Sequence, residues 1–232
     1  IRTVGNPEDR FREDRLRVLR ALRFSSRFSF PIDINTHAAI MKDNNLDGVS
    51  PERIRDEFVR GIASAKSVRN FLLSLDSYHM FDRIFPGLSV SRTPDVLVSS
   101  SGPDSRLVSV VLAVLLDVND PSIVSKVLNK LKYNAQEVSQ VSFLLHFRDM
   151  PFEKAYKMRR QFDSHQLSDE LIIEYANERG APLSYALKAF LDYRTTVSGD
   201  DLLAQGFTGQ ALGREMERRE TELFMKLLGA EN

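Results

Sequence analysis

The sequence has no cysteine among its 232 residues. Disulfides and thiolate metal sites are therefore excluded, and a reducing cytoplasm is the simplest compartment to expect. No apolar run approaches the roughly 18 residues of a bilayer-spanning helix. The longest such run, Leu107 to Val118, is broken by Ser109 and Asp117, so no membrane partner is expected. No signal-peptide pattern opens the chain. It begins on Ile1 rather than Met, which leads us to expect a segment before it. An excess of one charge sign is also missing, because 32 Lys and Arg balance 32 Asp and Glu. That balance argues against a uniformly basic nucleic-acid binder. The chain lacks a closely spaced Asp-x-Asp pair and a Gly-rich strand–helix turn, the usual holders of metal ions and phosphates. His37, His79, His146 and His165 are scattered without ligand spacing and read as structural or surface residues.

What is present is helical. Ser50-Pro51-Glu52 combines an N-cap, a proline at the first helical position and an acid in the first turn. Ile54, Phe58, Ile62 and Ala65 follow at helical spacing. Asp120-Pro121-Ser122 repeats the signal, and Ser168-Asp169-Glu170 caps another helix. The Leu107 to Val118 run is rich in valine, but its length and its helical flanks favour a buried helix over a strand. A last helix is expected from about Gln210 to Leu228, with Gly229 just beyond it. Asp200-Asp201 reads as a helix cap, since adjacent helical residues do not face one site. The expectation is an all-α fold. Residues 89–104 hold Pro94, Pro103, Gly102 and Ser99-Ser100-Ser101, the composition of a linker. We divide the chain there, into 1–92 and 93–232.

The informative stretch is Arg10 to Phe24. Every basic residue from Arg2 to Arg27 is arginine, the side chain that recognises phosphates and base edges in planar fashion. On a helix, Val18, Leu19 and Leu22 form an apolar back. Arg17, Arg20 and Arg23 form an opposite front, with Asp14 beside Arg17. Arg15 falls on the apolar side and must snorkel or find a partner. Such a front suits a nucleoside triphosphate. The aspartate accepts from an exocyclic amine, a neighbouring arginine donates to the ring, and further arginines reach phosphates. From periodicity alone, the plainer reading is a salt-bridge ladder along one helix.

Glu13, Asp14 and Arg17 match Glu-Asp-x-x-Arg. The stretch resembles motif D of class II tRNA nucleotidyltransferases, the family of CCA-adding enzymes and bacterial poly(A) polymerases. Arg2 to Pro7 with Arg10-Phe11 is similar to that family's junction between catalytic head and helical neck. Phe30-Pro31-Ile32-Asp33 and Ser50-Pro51-Glu52-Arg53-Ile54 through Glu57 resemble the rest of the neck, where the second motif braces the nucleotide-binding helix. Ser198 to Leu203, Gly206, Gly209 and Leu212-Gly213 resemble the C-terminal signature. The likeness is dense over roughly the first sixty residues and thin from about 90 to 195.

The resemblance implies a multi-helix neck, body and tail array. Residues 1–92 would be a nucleobase-recognition neck, and 93–232 a tRNA-binding body and tail. Its expected nucleotide-binding residues are Glu13, Asp14, Arg17, Arg20 and Arg23. Asp14 and Arg17 would act as an amino-acid template for CTP and ATP. The expected partners are the tRNA 3′ end and the backbone of its acceptor and elbow. The metal-binding carboxylates belong to the family's head, so magnesium is implied only through a head that this sequence does not contain. The chain alone is expected to bind without catalysing. Two alternatives stay open. One is a poly(A) or A-only adding enzyme of the same family, and the other is a free-standing helical RNA-binding module.

Overall fold

The computed structural model describes residues 1–91, 105–150, 152–164, 167–179, 189–194 and 196–229. Among these every regular element is helical, and no strand forms. The chain divides into two compact units, Ile1–Ser142 and Phe143–Asn232.

The first unit opens with α1 (Pro7–Glu13), α2 (Leu16–Phe28), α3 (Ile34–Lys42), α4 (Pro51–Ser64), α5 (Val68–Ser77) and the single turn α6 (Phe81–Ile84). It continues through α7 (Ser105–Leu115), α8 (Pro121–Lys130) and the first half of α9 (Ala135–Asp149). Short polar side chains set the helix starts, each accepting an otherwise unpaired first-turn N–H. Asn6, Asp33, Ser50, Ser67 and Asp120 do so for α1, α3, α4, α5 and α8. The end of α2 is fixed by Ser29 in the left-handed region (φ 56°). Its N–H and that of Phe30 both donate to the Ser25 carbonyl, which closes the helix without glycine.

The core of this unit lies where α4 and α5 pack on α2. Leu22, Ile40, Ile62 and Leu72 are fully enclosed. Phe58 meets Phe85 edge-on at 5.2 Å and Phe71 at 6.2 Å. The Phe71 ring lies over Gly61, and a Cβ there would overlap it. α7 is the buried helix expected from its composition, with Val108 and Val110 to Leu116 enclosed. The compact units do not part at 92/93, the boundary taken from the linker composition. α7 packs on α4, and the buried Ser109 hydroxyl donates to Gln140 Oε1 at 2.6 Å, so residues beyond the linker still belong to the first unit. Most of the linker itself, 92–104, lies outside the described residues.

The second unit contains the end of α9, a 3-10 segment (Phe152–Met158), α10 (Arg159–Ser164), α11 (Asp169–Arg179), α12 (Gly199–Ala204) and α13 (Gly209–Gly229). Tyr156, Tyr193 and Phe224 pack as a triangle of rings, 5.4 to 6.0 Å between centroids. The Tyr156 hydroxyl reaches Thr221 Oγ1 at 2.8 Å. Two terminal details differ from expectation. Ser198 caps α12, while Asp200 and Asp201 sit in its first turn, where acids complement the helix dipole. α13 ends on Gly229 instead of before it. Ser168 accepts from the Leu171 N–H at 3.3 Å, as its position before α11 suggests.

Candidate nucleotide-binding face

The stretch from Arg10 to Phe24 is two helices and not one. α1 stops at Asp14, whose backbone is extended (φ −152°, ψ 103°), and α2 begins at Leu16. The cause is local. Asp14 Oδ1 accepts the Leu16 N–H at 3.2 Å, a bond that draws the backbone out of a continuous helix. Asp14 therefore stands at a corner between two helices.

The five predicted residues gather around this corner and along α2, though not as one front. Glu13 Oε2 takes Arg10 at 2.6 Å and Arg17 at 3.0 Å. Arg17 also donates to the Arg10 carbonyl at 3.3 Å. Asp14 is thus not paired with Arg17. Its partner is Arg53 of α4, whose Nη2 straddles both carboxylate oxygens at 3.1 and 2.9 Å. Arg20 and Arg23 converge on Glu57, also of α4, at 3.0 and 2.6 Å. The Glu57 side chain is 3% exposed, Arg23 8% and Arg20 43%. Arg23 lies over the Phe24 ring, 4.2 Å from its centroid.

Arg23 corrects the expected arginine front, because it lies inside with Leu19 and Leu22. Three-residue steps fall about 60° short of a full turn, so arginines at 17, 20 and 23 fan around the helix. The third rotates into the contact with α4. Arg15 finds the partner it needs in Asp43, at 2.8 Å. That hydrogen bond holds the Asp43 carboxyl below its ordinary value.

The open face therefore presents Glu13, Asp14, Arg17 and Arg20, with Arg23 and Glu57 beneath. Two concavities, each of about 340 to 350 Å3, lie elsewhere. One is lined by Arg2, Asp33 and Thr36, the other by Ser198, Arg219 and Lys226, and neither is lined by any of the five residues. Arg53 and Glu57 belong to the Ser50–Glu57 motif read as a brace. Their individual pairings, 39 and 37 residues from their partners, had no local signal in the sequence. Among the described residues no group of three or more His, Asp or Glu side chains is placed to hold a metal ion.

A family model described as the probable RNA- and SrmB-binding site of polymerase A matches residues 29–91. A CCA-adding enzyme of Lactobacillus helveticus is 30% identical over 197 residues, covering 79% of this chain and 46% of the relative. The chain is similar to CCA-adding enzymes over most of its own length and, over residues 29–91, to the family model of a polymerase A RNA-binding site. It spans about half the length of the curated relatives it matches along most of its own length. Its fold is shared with a CCA-adding enzyme solved with CTP (TM-score 0.60, 17% identity, 97% of this chain and 58% of that one). A Thermotoga maritima CCA-adding enzyme solved with tRNA is similar at TM-score 0.54, 18% identity, 96% of this chain and 62% of that one. The Asp14 corner lies before the region that the family model covers.

Proposed function

We propose that this chain is the base-selecting and tRNA-holding part of a nucleotidyltransferase that adds C and A to tRNA 3′ ends from CTP and ATP in the cytoplasm. The observation that carries the reading is the Asp14 corner. An aspartate, 28% exposed, stands beside an arginine, Arg17, at 32%, in a family whose relatives are CCA-adding enzymes. Asp14 would accept from the exocyclic amine that cytosine and adenine share, and Arg17 would leave Glu13 to donate to the ring. Arg20 would orient the triphosphate from the same face, with Arg23 and Glu57 setting its position. Residues 1–92 would serve as the neck, and 93–232 would hold tRNA through sequence-independent backbone contacts. Such contacts weaken steeply as salt rises.

Nucleotidyl transfer draws on magnesium to neutralise triphosphate charge and activate the 3′-hydroxyl. Among the described residues no group of three or more His, Asp or Glu side chains is placed to hold it. In this reading the chain binds and selects the nucleotide, and transfer would belong to a head.

The test is equilibrium binding of the four nucleoside triphosphates to the chain. CTP and ATP should bind in preference to UTP and GTP, and Arg17→Ala should weaken both. If Arg17→Ala leaves nucleotide binding unchanged, Asp14 and Arg17 are only surface ion-pair residues and the helical RNA-binding module is the better description. The polymerase A description of the model matching 29–91 keeps a poly(A)-adding parent as the second reading. Sequencing the product on a tRNA that ends before CCA separates the two, since only a CCA-adding parent incorporates C.

A further inference from the structure

The carboxylate of Asp14 can be accounted for lone pair by lone pair. An ionised carboxylate offers about four acceptor positions. Three are taken. Oδ1 accepts from the Leu16 N–H at 3.2 Å and from Arg53 Nη2 at 3.1 Å, and Oδ2 accepts from the same nitrogen at 2.9 Å. One position on Oδ2 remains, on a side chain 28% open to solvent. The two donors fix the group from different sides. Leu16 is part of the α2 backbone, and Arg53 is carried by the first turns of α4, which packs along α2.

This arrangement is more than an ion pair on a surface. The Arg53 side chain is 51% exposed, and such pairs add little to stability. Its effect is on orientation. The terminal torsion of an aspartate is broad and roughly two-fold. Without Arg53 the carboxylate can turn, and Oδ2 has two open positions. With Arg53 straddling both oxygens the plane is held and a single acceptor points outward.

We propose that Arg53 is a positioning residue that determines nucleobase selectivity, by holding Asp14 so that it offers one fixed acceptor and no more. The inference rests on the reading of Asp14 as the base contact. A single fixed acceptor accommodates one N–H of the amine of cytosine or adenine. Uracil and guanine present a carbonyl at that position, and two acceptors then face each other unpaired. A carboxylate free to turn relieves this clash, because water can enter and bridge to the carbonyl. Losing Arg53 therefore costs discrimination more than affinity.

The experiment titrates the chain with CTP, UTP, ATP and GTP separately, comparing wild type with Arg53→Ala, Arg53→Lys and Asp14→Ala. Arg53→Ala is expected to lower the CTP-over-UTP affinity ratio at least tenfold, with CTP affinity changed less than that ratio. Arg53→Lys, which keeps a charged donor at nearly the same reach, should restore part of the ratio. In an Asp14→Ala background, Arg53→Ala should have no further effect on it. A thermal melt of each variant checks folding, and the exposed Arg53 side chain should be replaceable with little change. If Arg53→Ala weakens all four nucleotides by one common factor, the arginine merely attracts triphosphate and the proposal is overturned. An unchanged ratio overturns it equally. If wild type shows no preference among the four, the reading of Asp14 as base contact fails first, and the role of Arg53 falls with it.

Discussion

Glu57→Gln is the perturbation that most directly tests how the arginine face is held. Glu57 is 3% exposed and accepts from Arg23 Nε at 2.6 Å and Arg20 Nη1 at 3.0 Å. Glutamine keeps the shape but removes the charge, and its amide can present a donor to a guanidinium that has nothing to give but donors. Arg23, itself nearly enclosed, then becomes a buried cation without a counter-charge. Breaking a buried pair from one side costs about 3 to 5 kcal/mol. The Phe24 ring beneath Arg23 at 4.2 Å returns roughly 0.5 to 1 kcal/mol of cation–π attraction, which places the expected loss near the low end, about 3 kcal/mol. Against a typical domain stability of about 5 to 15 kcal/mol that is a large fraction. The assay is urea unfolding followed by NMR intensities within Ile1–Ser142, because two compact units need not unfold together. Arg20→Ala is the control. Its pair is half in solvent and should cost no more than about 1 kcal/mol. The combined Arg23→Met and Glu57→Leu variant should recover most of the loss, since an apolar pair of similar volume leaves nothing unpaired. A Glu57→Gln loss below about 1 kcal/mol, equal to that of an exposed pair, would refute the reasoning.

Three further outcomes are expected. Gly61→Ala should destabilise the first unit by roughly 1 to 3 kcal/mol, although alanine favours helix, because its Cβ overlaps the enclosed Phe71 ring. The Gly61→Ala, Phe71→Leu double variant should be less affected by the added methyl, as a chemical-denaturation cycle would show. Tyr133→Phe should be neutral or stabilising by up to about 1 kcal/mol, because the buried Tyr133 hydroxyl has no hydrogen-bond partner among the described residues. A clear loss of stability in a thermal melt would contradict that. On α13, hydrogen bonds from Arg218 and then Arg219 pull the Glu215 carboxyl from 4.5 down to about 2. Its folded value lies below its unfolded one, so its contribution is fully present above about pH 4.5 and lost as pH falls towards 2. A carboxyl NMR titration that finds Glu215 protonating at its ordinary pH would rule this out.

What was legible in the sequence was what short-range chemistry specifies. Ser50-Pro51, Asp120-Pro121 and Ser168 mark helix starts because a cap acts within three residues. The α7 run was readable as a buried helix because its length outruns an ordinary strand. The Asp14 corner was not. Helical spacing continues through it, and only the Asp14-to-Leu16 bond shows that the helix breaks. The burial of Arg23 was missed for a related reason. Treating three-residue spacing as a face ignores its drift around the helix, and three arginines are enough for that drift to carry the last one into the core.

The pairings with α4 were illegible for a different reason, and it bears on how the zero net charge should be understood. Balance over the whole chain argues only against a uniformly basic nucleic-acid binder. Yet Glu57 is enclosed and neutralises Arg23 inside the fold, while Arg20 shares the same carboxylate from a half-exposed position. Arg27 lies over the Phe28 ring without an acidic partner among the described residues. Acids spent on buried arginines do not cancel the field of exposed ones, so a chain with no net charge can still carry a basic face. Arg53 shows the complementary case. A cation placed on the one aspartate of that face leaves a single acceptor in a setting of donors, and such a site distinguishes an amine from a carbonyl without any change in total charge.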